Sequence, residues 1–186
     1  MPTGRIKAHQ LLLILMCLFI TLGVSSAYAA DKEDILESRI LKIGEEAPVF
    51  VAKNLEDVDF ELGEYIGKKP VILFFWSFFC GPCREEMPIL QQIYEDLGKD
   101  NVIFVGINLD GPKLAKAIGK FMQDSGFDFT IVFDELKGLE YKIADPYGVA
   151  GTPTVYTIDL EGKISYSEVG KVEPQDLIEV LKRSIP

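Results

Sequence analysis

An apolar run that leads directly into a closely spaced pair of cysteines is the feature that most limits how this sequence can fold. The six consecutive apolar residues Val71–Trp76 are separated by three residues from the segment Cys80-Gly81-Pro82-Cys83. A continuous apolar run of this length is typical of a strand that is buried on both faces of a sheet. From Cys83 onward the apolar residues follow helical spacing until Gly98 supplies a stop. The sequence therefore predicts a buried strand, a short loop and a helix that begins at the cysteines.

The predicted position of Cys80 at the N-terminus of this helix gives that cysteine a specific chemistry. Unpaired backbone N–H groups and the helix dipole stabilise an anion there, and such a placement lowers the pKa of a cysteine from about 8.5 to as low as about 3.5–7.5. Because the thiolate is the nucleophile, Cys80 is the predicted attacking residue. Cys83 lies one turn further along and is predicted to be shielded and to resolve a mixed disulfide. Pro82 suits the first helical turn, whereas Pro88 is expected to kink the helix.

The rest of the chain alternates between further strands and helices. Apolar stretches predict strands at residues 102–107, 154–158 and 164–169, the last two as an antiparallel pair, and residues 129–133 form a further short strand or the end of a loop. Helical spacing predicts helices through residues 114–122, over about residues 136–143, and from Pro174 onward. Residues 50–52 and 60–62 are expected to pair as a hairpin. This order predicts an α/β protein with a mixed central sheet flanked by helices and a small N-terminal β-hairpin extension.

The first thirty residues differ from the rest and have the three-part pattern of a secretory signal. Arg5 and Lys7 give a positive start, residues 11–24 are largely apolar, and Ala27-Tyr28-Ala29 is a small-x-small cleavage site. The apolar run is shorter than the roughly 20 residues of a membrane span but reaches that length when it is extended to residue 30, so a cleaved signal and a retained anchor are both open. The predicted divisions are a signal peptide or N-terminal membrane anchor (residues 1–29), a linker or short helix (30–43) and one domain (44–186). Both alternatives place that domain outside the cytoplasm, in the periplasm.

The cysteine and histidine counts exclude several kinds of site. The chain has three cysteines and one histidine, and Cys17 and His9 both lie in the predicted signal. The domain therefore keeps only Cys80 and Cys83, which is too few for a structural zinc site of four ligands, and it has no histidine base for a cysteine nucleophile. Two thiolates alone would hold Cu(I) weakly. We expect no metal and no cofactor, and we expect a redox-active dithiol rather than an inert disulfide, because closing so short a loop stabilises a fold little.

The charge of the chain excludes one class of partner. Its formal net charge is −10, and an acidic surface repels phosphate backbones, so we expect no nucleic-acid binding. Solubility is the simpler explanation of the acidity. No dimerisation element is visible in the sequence, and the chain is expected to be a monomer.

Several separated segments carry a resemblance to a known superfamily. Residues 75–84 around the cysteine pair, Pro88 in the following helix and Gly151-Thr152-Pro153-Thr154 before a strand resemble the corresponding parts of thioredoxins. Residues 44–50, residues 62–70 and Glu86-Met87-Pro88 are similar to the exported TlpA/ResA-like branch of that superfamily. The resemblance covers the chain from about residue 43 to the C-terminus. It implies a thioredoxin fold and thiol:disulfide oxidoreductase activity.

The resemblance also implies residues that bind the partner protein. In such proteins the bond that matches Thr152–Pro153 is cis and packs against the active-site disulfide, and its flanking backbone pairs with the partner's chain. Phe79, Gly81 and Pro82 would complete the partner-binding surface around the reactive cysteine. Trp76 matches the tryptophan that the family carries near the site, and a core aromatic is the alternative interpretation.

One departure from thioredoxins concerns proton transfer. Thioredoxins carry a buried carboxylate six positions before the first cysteine, where this sequence has Phe74. The exported branch instead has a glutamate three residues after the second cysteine, and Glu86 matches it. Proton transfer with Cys83, one helical turn away, and a solvated carboxylate that merely favours the helix N-terminus are both open.

The implied function is reduction of disulfides in specific proteins outside the cytoplasm. The Gly-Pro dipeptide between the cysteines resembles that of thioredoxin, whose potential is about −270 mV. A reductant in an oxidising compartment has to be recharged, so the resemblance implies a membrane-bound electron donor and a specific client, with apocytochrome c as the leading candidate. The alternatives are a disulfide oxidase or isomerase, a thiol peroxidase, and a non-catalytic module that binds metal or haem. The peroxidase is disfavoured because the residues before Cys80 lack the expected threonine and proline.

Overall fold

The computed structural model describes residues 40–185. The predicted signal or anchor and most of the predicted linker lie outside the described residues. In residues 40–185 no helix is both long enough and apolar enough to cross a membrane. The described strands are β1 Val51–Lys53, β2 Asp59–Glu61, β3 Val71–Trp76, β4 Ile103–Asn108, β5 Thr130–Phe133, β6 Leu136–Lys137, β7 Glu140–Tyr141, β8 Thr154–Ile158 and β9 Ile164–Val169, and the described α-helices are α1 Gly81–Leu97, α2 Ala115–Ser125 and α3 Pro174–Ser184.

Five of these strands form the central sheet, in the order β5-β4-β3-β8-β9. The strands β3, β4 and β5 are parallel, β8 pairs antiparallel with β3, and β9 pairs antiparallel with β8. The mixed sheet predicted from the sequence is therefore confirmed, including the strand at residues 129–133 that was open to two interpretations. All six residues of β3 are buried, as expected for a strand that is bonded on both edges and covered on both faces.

The two faces of the sheet are covered by different kinds of structure. The even-numbered residues of β3 pack in one apolar cluster with buried residues of all three α-helices. The odd-numbered residues pack in a second cluster with the antiparallel β1–β2 hairpin and with buried residues of the segment before β8. The helices predicted to flank the sheet thus lie together on one face, and the N-terminal hairpin extension covers the other. On the second face, Tyr147 links the segment before β8 to the chain before β1, because its hydroxyl donates to the Pro48 carbonyl oxygen at 2.8 Å.

The prediction of a short helix over about residues 136–143 is wrong. The strands β6 and β7 form a small antiparallel hairpin there, and turns follow over residues 142–148. Gly138 adopts φ 72° at the hairpin turn, a left-handed conformation that ends helical geometry. The buried carboxylate of Asp134 accepts hydrogen bonds from the N–H groups of Ile143 at 2.9 Å and Ala144 at 2.7 Å. Those donors are therefore satisfied by a side chain, and the segment closes as turns against the sheet.

The cysteine-bearing helix follows the sequence prediction closely. It begins at Gly81 with Cys80 as the N-cap, and Gly98 is the C-cap. Pro88 lies inside this helix, which continues as one α-helix to Leu97.

We predict that Gly106→Ala destabilises the protein by about 1–3 kcal/mol, the usual cost of overpacking a filled core. A Cβ atom at this position of β4 would lie 2.7 Å from Ile131 Cδ1, 3.0 Å from Phe129 Cε2 and 3.2 Å from Trp76 Nε1. Denaturant unfolding followed by the fluorescence of the single tryptophan measures the effect.

Gly119→Ala is the matched control, because a Cβ atom there meets nothing within 4 Å and the residue lies inside α2. It is expected to stabilise the protein by up to about 1 kcal/mol through helix propensity. Equal stability of the two variants would contradict the close packing described at Gly106.

Candidate active site

The two cysteines form a disulfide at the start of α1. The Cys80–Cys83 pair is bonded, and the Cys83 N–H donates to Cys80 Sγ at 3.2 Å, so the first sulfur caps the helix. Cys80 is half-buried, whereas Cys83 is 0% exposed. A partner protein can therefore approach only the sulfur of Cys80. This difference in access agrees with the predicted order, in which Cys80 attacks and Cys83 resolves.

A cis peptide bond faces this disulfide from the loop before β8. The Thr152–Pro153 bond is cis, as the resemblance implied. The Thr152 carbonyl oxygen lies 3.6 Å from Cys80 Sγ, so the loop and the reactive sulfur are in contact. The Pro153 carbonyl accepts a hydrogen bond from the Gly170 N–H at 2.8 Å. That hydrogen bond ties the cis-proline loop to the segment after β9.

Glu86 is a buried carboxylate one helical turn after Cys83. Its side chain is 3% exposed, and it accepts a hydrogen bond from the Val172 N–H at 3.0 Å. Burial raises the pKa of Glu86 above its ordinary value, while the bond from Val172 and the charge of Lys171 oppose the rise. The alternative of a solvated carboxylate at the helix N-terminus is therefore wrong. A cavity of about 130 Å³ adjoins this carboxylate and is lined by Pro82, Glu85, Glu86, Ile89, Pro153, Gly170 and Lys171.

The other residues predicted to bind a partner fall into two groups. Phe79 is 75% exposed, Pro82 is exposed, and Gly81 and Thr152 are partly exposed around Cys80. Trp76 is 0% exposed, and its indole Nε1 has no hydrogen-bond partner among the residues that the structure describes. A direct contact between Trp76 and a partner protein is excluded by this burial. The alternative interpretation, a core aromatic, describes its position.

Sequence reasoning missed a polar network that holds the loop between β3 and α1. The carboxylate of Asp110, just after β4, accepts hydrogen bonds from Ser77 Oγ at 2.8 Å, from the Phe78 N–H at 2.6 Å and from Asn108 Nδ2 at 3.0 Å. Ser77 Oγ in turn accepts from the Phe79 N–H at 3.2 Å. The network ties the residues directly before Cys80 to the end of the neighbouring strand. The sequence signal for this network was the position of Ser77 and Asp110, which follow two adjacent parallel strands. The carboxyl ends of such strands meet at one edge of a sheet.

Taken with the strand order, a helix-capping cysteine pair opposite a cis-proline makes this chain a thiol:disulfide oxidoreductase of the thioredoxin fold. Comparison with known proteins agrees. Residues 43–167 match the AhpC/TSA family, and the chain belongs to that family.

In residues 40–185 no three side chains of the metal-binding types converge on one point.

Two relatives and one solved structure show which kinds of protein this chain is similar to. The chain is 30% identical over 186 residues to thiol-disulfide oxidoreductase ResA of Bacillus thuringiensis, and the match covers 100% of both chains. It is 32% identical to the ResA protein of Halalkalibacterium halodurans over 167 residues, 90% of this chain and 91% of that one. A crystal structure of a putative thiol:disulfide interchange protein DsbE from Chlorobium tepidum superposes with a TM-score of 0.66 at 28% identity, covering 78% of this chain and 99% of that one. The family and the fold predicted from the sequence are confirmed.

We predict that Glu86→Gln changes how the stability of the oxidised protein depends on pH. Because burial raises the folded-state pKa of Glu86, the folded wild type holds this proton more tightly than the unfolded chain does. The wild type therefore loses free energy of unfolding as the pH rises from the unfolded pKa through the higher folded pKa. The variant keeps an acceptor for the Val172 N–H but lacks the titration. It is expected to gain stability relative to wild type across that window.

Denaturant unfolding of both proteins at a series of pH values from about 3.5 to 8 measures this difference. A stability difference that stays constant over the whole series would contradict a raised pKa.

Proposed function

We propose that this protein is a periplasmic reductant of specific protein disulfides, with apocytochrome c as its client. The observation that carries the proposal is the contrast between a half-buried Cys80 sulfur and a fully buried Cys83 sulfur in one bonded pair. The signal-like pattern of residues 1–29 supports an extracytoplasmic location. The thiol-disulfide oxidoreductase name of the ResA relatives supports protein disulfides as substrates.

The proposed reaction moves two electrons from the reduced cysteine pair to the client. The Cys80 thiolate attacks one sulfur of the client disulfide, which forms a mixed disulfide and releases the first client thiolate. The Cys83 thiol then loses its proton, and its thiolate attacks Cys80 Sγ. This second step forms the Cys80–Cys83 disulfide and releases the other client sulfur as a thiolate that takes up a proton. The client is reduced and the pair is oxidised.

Glu86 is the proposed acceptor of the Cys83 proton. The Cys83 thiol is 0% exposed, so bulk water does not reach it directly. Glu86 follows it by one turn on the same helix, is itself buried and adjoins the cavity beside Pro153. Since burial raises the pKa of Glu86, the carboxylate is a stronger base than a solvated one, which favours proton transfer from a thiol.

The direction of electron flow follows from the compartment and from the dipeptide between the cysteines. Gly-Pro resembles the dipeptide of thioredoxin, which is a reductant at about −270 mV. An oxidising compartment does not regenerate such a dithiol, so we propose a membrane-bound electron donor that reduces the Cys80–Cys83 disulfide after each turnover. Disulfide formation or isomerisation in exported proteins is the competing function, and the potential distinguishes the two.

We predict a reduction potential of about −250 mV or lower for the Cys80–Cys83 couple. Equilibration of the purified protein in glutathione buffers, followed by alkylation of free thiols and mass spectrometry, measures it. Cys80→Ser is the control and is expected to show no two-electron couple. A potential of about −120 to −150 mV would contradict the reductant and support disulfide formation instead.

We further predict that Glu86→Gln slows resolution of the mixed disulfide by about a hundredfold near neutral pH, the common contribution of general base catalysis. Rapid acid quench of the reaction between the reduced variant and a protein disulfide measures the lifetime of the mixed disulfide. In a Cys83→Ser background, where resolution cannot occur, Glu86→Gln is expected to leave the attack by Cys80 unchanged. Equal slowing of attack and resolution would show that Glu86 acts on the site as a whole and not on the Cys83 proton.

A further inference from the structure

A groove of about 530 Å³ lies beside the active site, between α1 and the region of α2. Gly81, Arg84, Glu85 and Pro88 of α1 line one wall, Ser125 lines the other, and Phe121 and Phe127 form the part that we call the floor. No step of the proposed reaction uses these residues, apart from Gly81 at the edge of the cysteine pair. We propose that this groove binds a large apolar side chain of the client, close in its sequence to the disulfide, and so selects which disulfides are reduced. The inference rests on the proposed function and adds the chemistry of the client.

The floor of the groove is apolar and is built from packed aromatic rings. The rings of Phe121 and Phe127 meet edge to face, with centroids 5.9 Å apart and planes inclined by 70°. Both side chains are only partly buried, as is the ring of Phe78 that packs against Phe121 at 5.8 Å. Partly exposed aromatic rings next to a reactive site gain free energy when a further apolar group covers them. This floor therefore favours an aromatic or large aliphatic side chain.

Charge gives the groove no preference for an ionic ligand. Arg84 and Glu85 are neighbours on the α1 wall, where they contribute opposite charges. Arg84 is exposed and forms no ion pair within 4.0 Å among residues 40–185. Because the two charges offset one another, the apolar floor is the feature that distinguishes one ligand from another.

Continuity with the cysteine pair identifies the occupant as the client polypeptide. Gly81 lines the groove and directly follows Cys80. The exposed ring of Phe79 contacts Phe78 at 5.7 Å, and Phe78 contacts Phe121. Aromatic rings in contact thus run from Phe79, the residue before Cys80, to the groove floor. A polypeptide whose disulfide lies against Cys80 Sγ passes the mouth of the groove, so a neighbouring side chain of the same polypeptide reaches the floor.

Matched substrates test the proposal in the full-length reduced protein. The probes are synthetic peptides with one intramolecular disulfide, which carry phenylalanine or serine one or two residues to either side of a cysteine, and glutathione disulfide, which has no such side chain. Acid quench followed by thiol alkylation gives the second-order rate constants. We expect at least one phenylalanine peptide to react about tenfold faster than its serine partner, as a hydrophobic pocket discriminates.

A variant that fills the groove separates binding from chemistry. Ser125 lies on the groove wall at the exposed end of α2, so Ser125→Trp is expected to occupy the floor without removing a packed side chain. It should abolish the preference for phenylalanine and leave the rate with glutathione disulfide unchanged. Gln123→Trp is the matched control, because Gln123 is exposed on the same helix outside the groove, and it should keep the preference.

The outcomes that overturn the groove differ from those that overturn the function. Equal rates of every phenylalanine and serine pair with the wild type would overturn the groove alone, whether or not Ser125→Trp folds. Equal slowing of all substrates by Ser125→Trp would likewise show that the groove does not bind the client. Absence of reaction with every disulfide, including glutathione disulfide, would overturn the proposed reductase and the groove with it.

Discussion

The burial of β3 is the constraint on which the rest of this structure depends. All six of its residues are buried, and the strand is bonded to β4 on one edge and to β8 on the other. Its position sets where the chain emerges at residue 77, and therefore where α1 can begin. The parallel neighbour β4 ends at the same edge and supplies Asp110, whose carboxylate holds the emerging loop. The antiparallel neighbour β8 begins at that edge and brings the cis-proline loop to 3.6 Å from Cys80 Sγ. The active site is thus the place where three adjacent strands share one end.

Patterns that repeat along the chain were sufficient to predict most of the fold. The buried strand, the helix that begins at the cysteines and the antiparallel pair before α3 each follow from apolar spacing within about ten residues. The segment after β5 did not follow from spacing, because its conformation depends on Asp134, which accepts the N–H groups of residues nine and ten positions away. Local apolar periodicity contains no information on such a side-chain acceptor. Gly138 was the one local signal, since a glycine inside a short apolar pattern favours a turn.

The site shows the same division between local and distant information. The proposed roles of Cys80 and Cys83 were predicted from their spacing and from the helix start. The cis bond of Pro153 was predicted from family resemblance, as only about 5–6% of X–Pro bonds are cis. The environment of Glu86 was not predictable, because burial arises from contact with Val172, 86 residues away in sequence. For Trp76 the family resemblance favoured a place at the site, and a core aromatic was the alternative interpretation. The structure decides for the core, because Trp76 is buried like every other residue of β3. That burial depends on α-helices that lie elsewhere in the sequence.

The hydrogen bonds around Cys80 bear on the reduction potential of the cysteine pair. A dithiol becomes more oxidising as its thiolate is stabilised, and backbone N–H groups at a helix start are the usual stabilising donors. In the described part of the chain, Cys83 supplies the one N–H that reaches Cys80 Sγ, at 3.2 Å. The N–H groups of the two residues before Cys80 have other acceptors, since the Phe78 N–H donates to Asp110 and the Phe79 N–H donates to Ser77 Oγ. The polar network therefore uses two N–H groups close to Cys80 in sequence to hold its loop against the Asp110 carboxylate. A single donor at the sulfur supports the reductant proposed above, because each further donor would stabilise the thiolate and make the couple more oxidising.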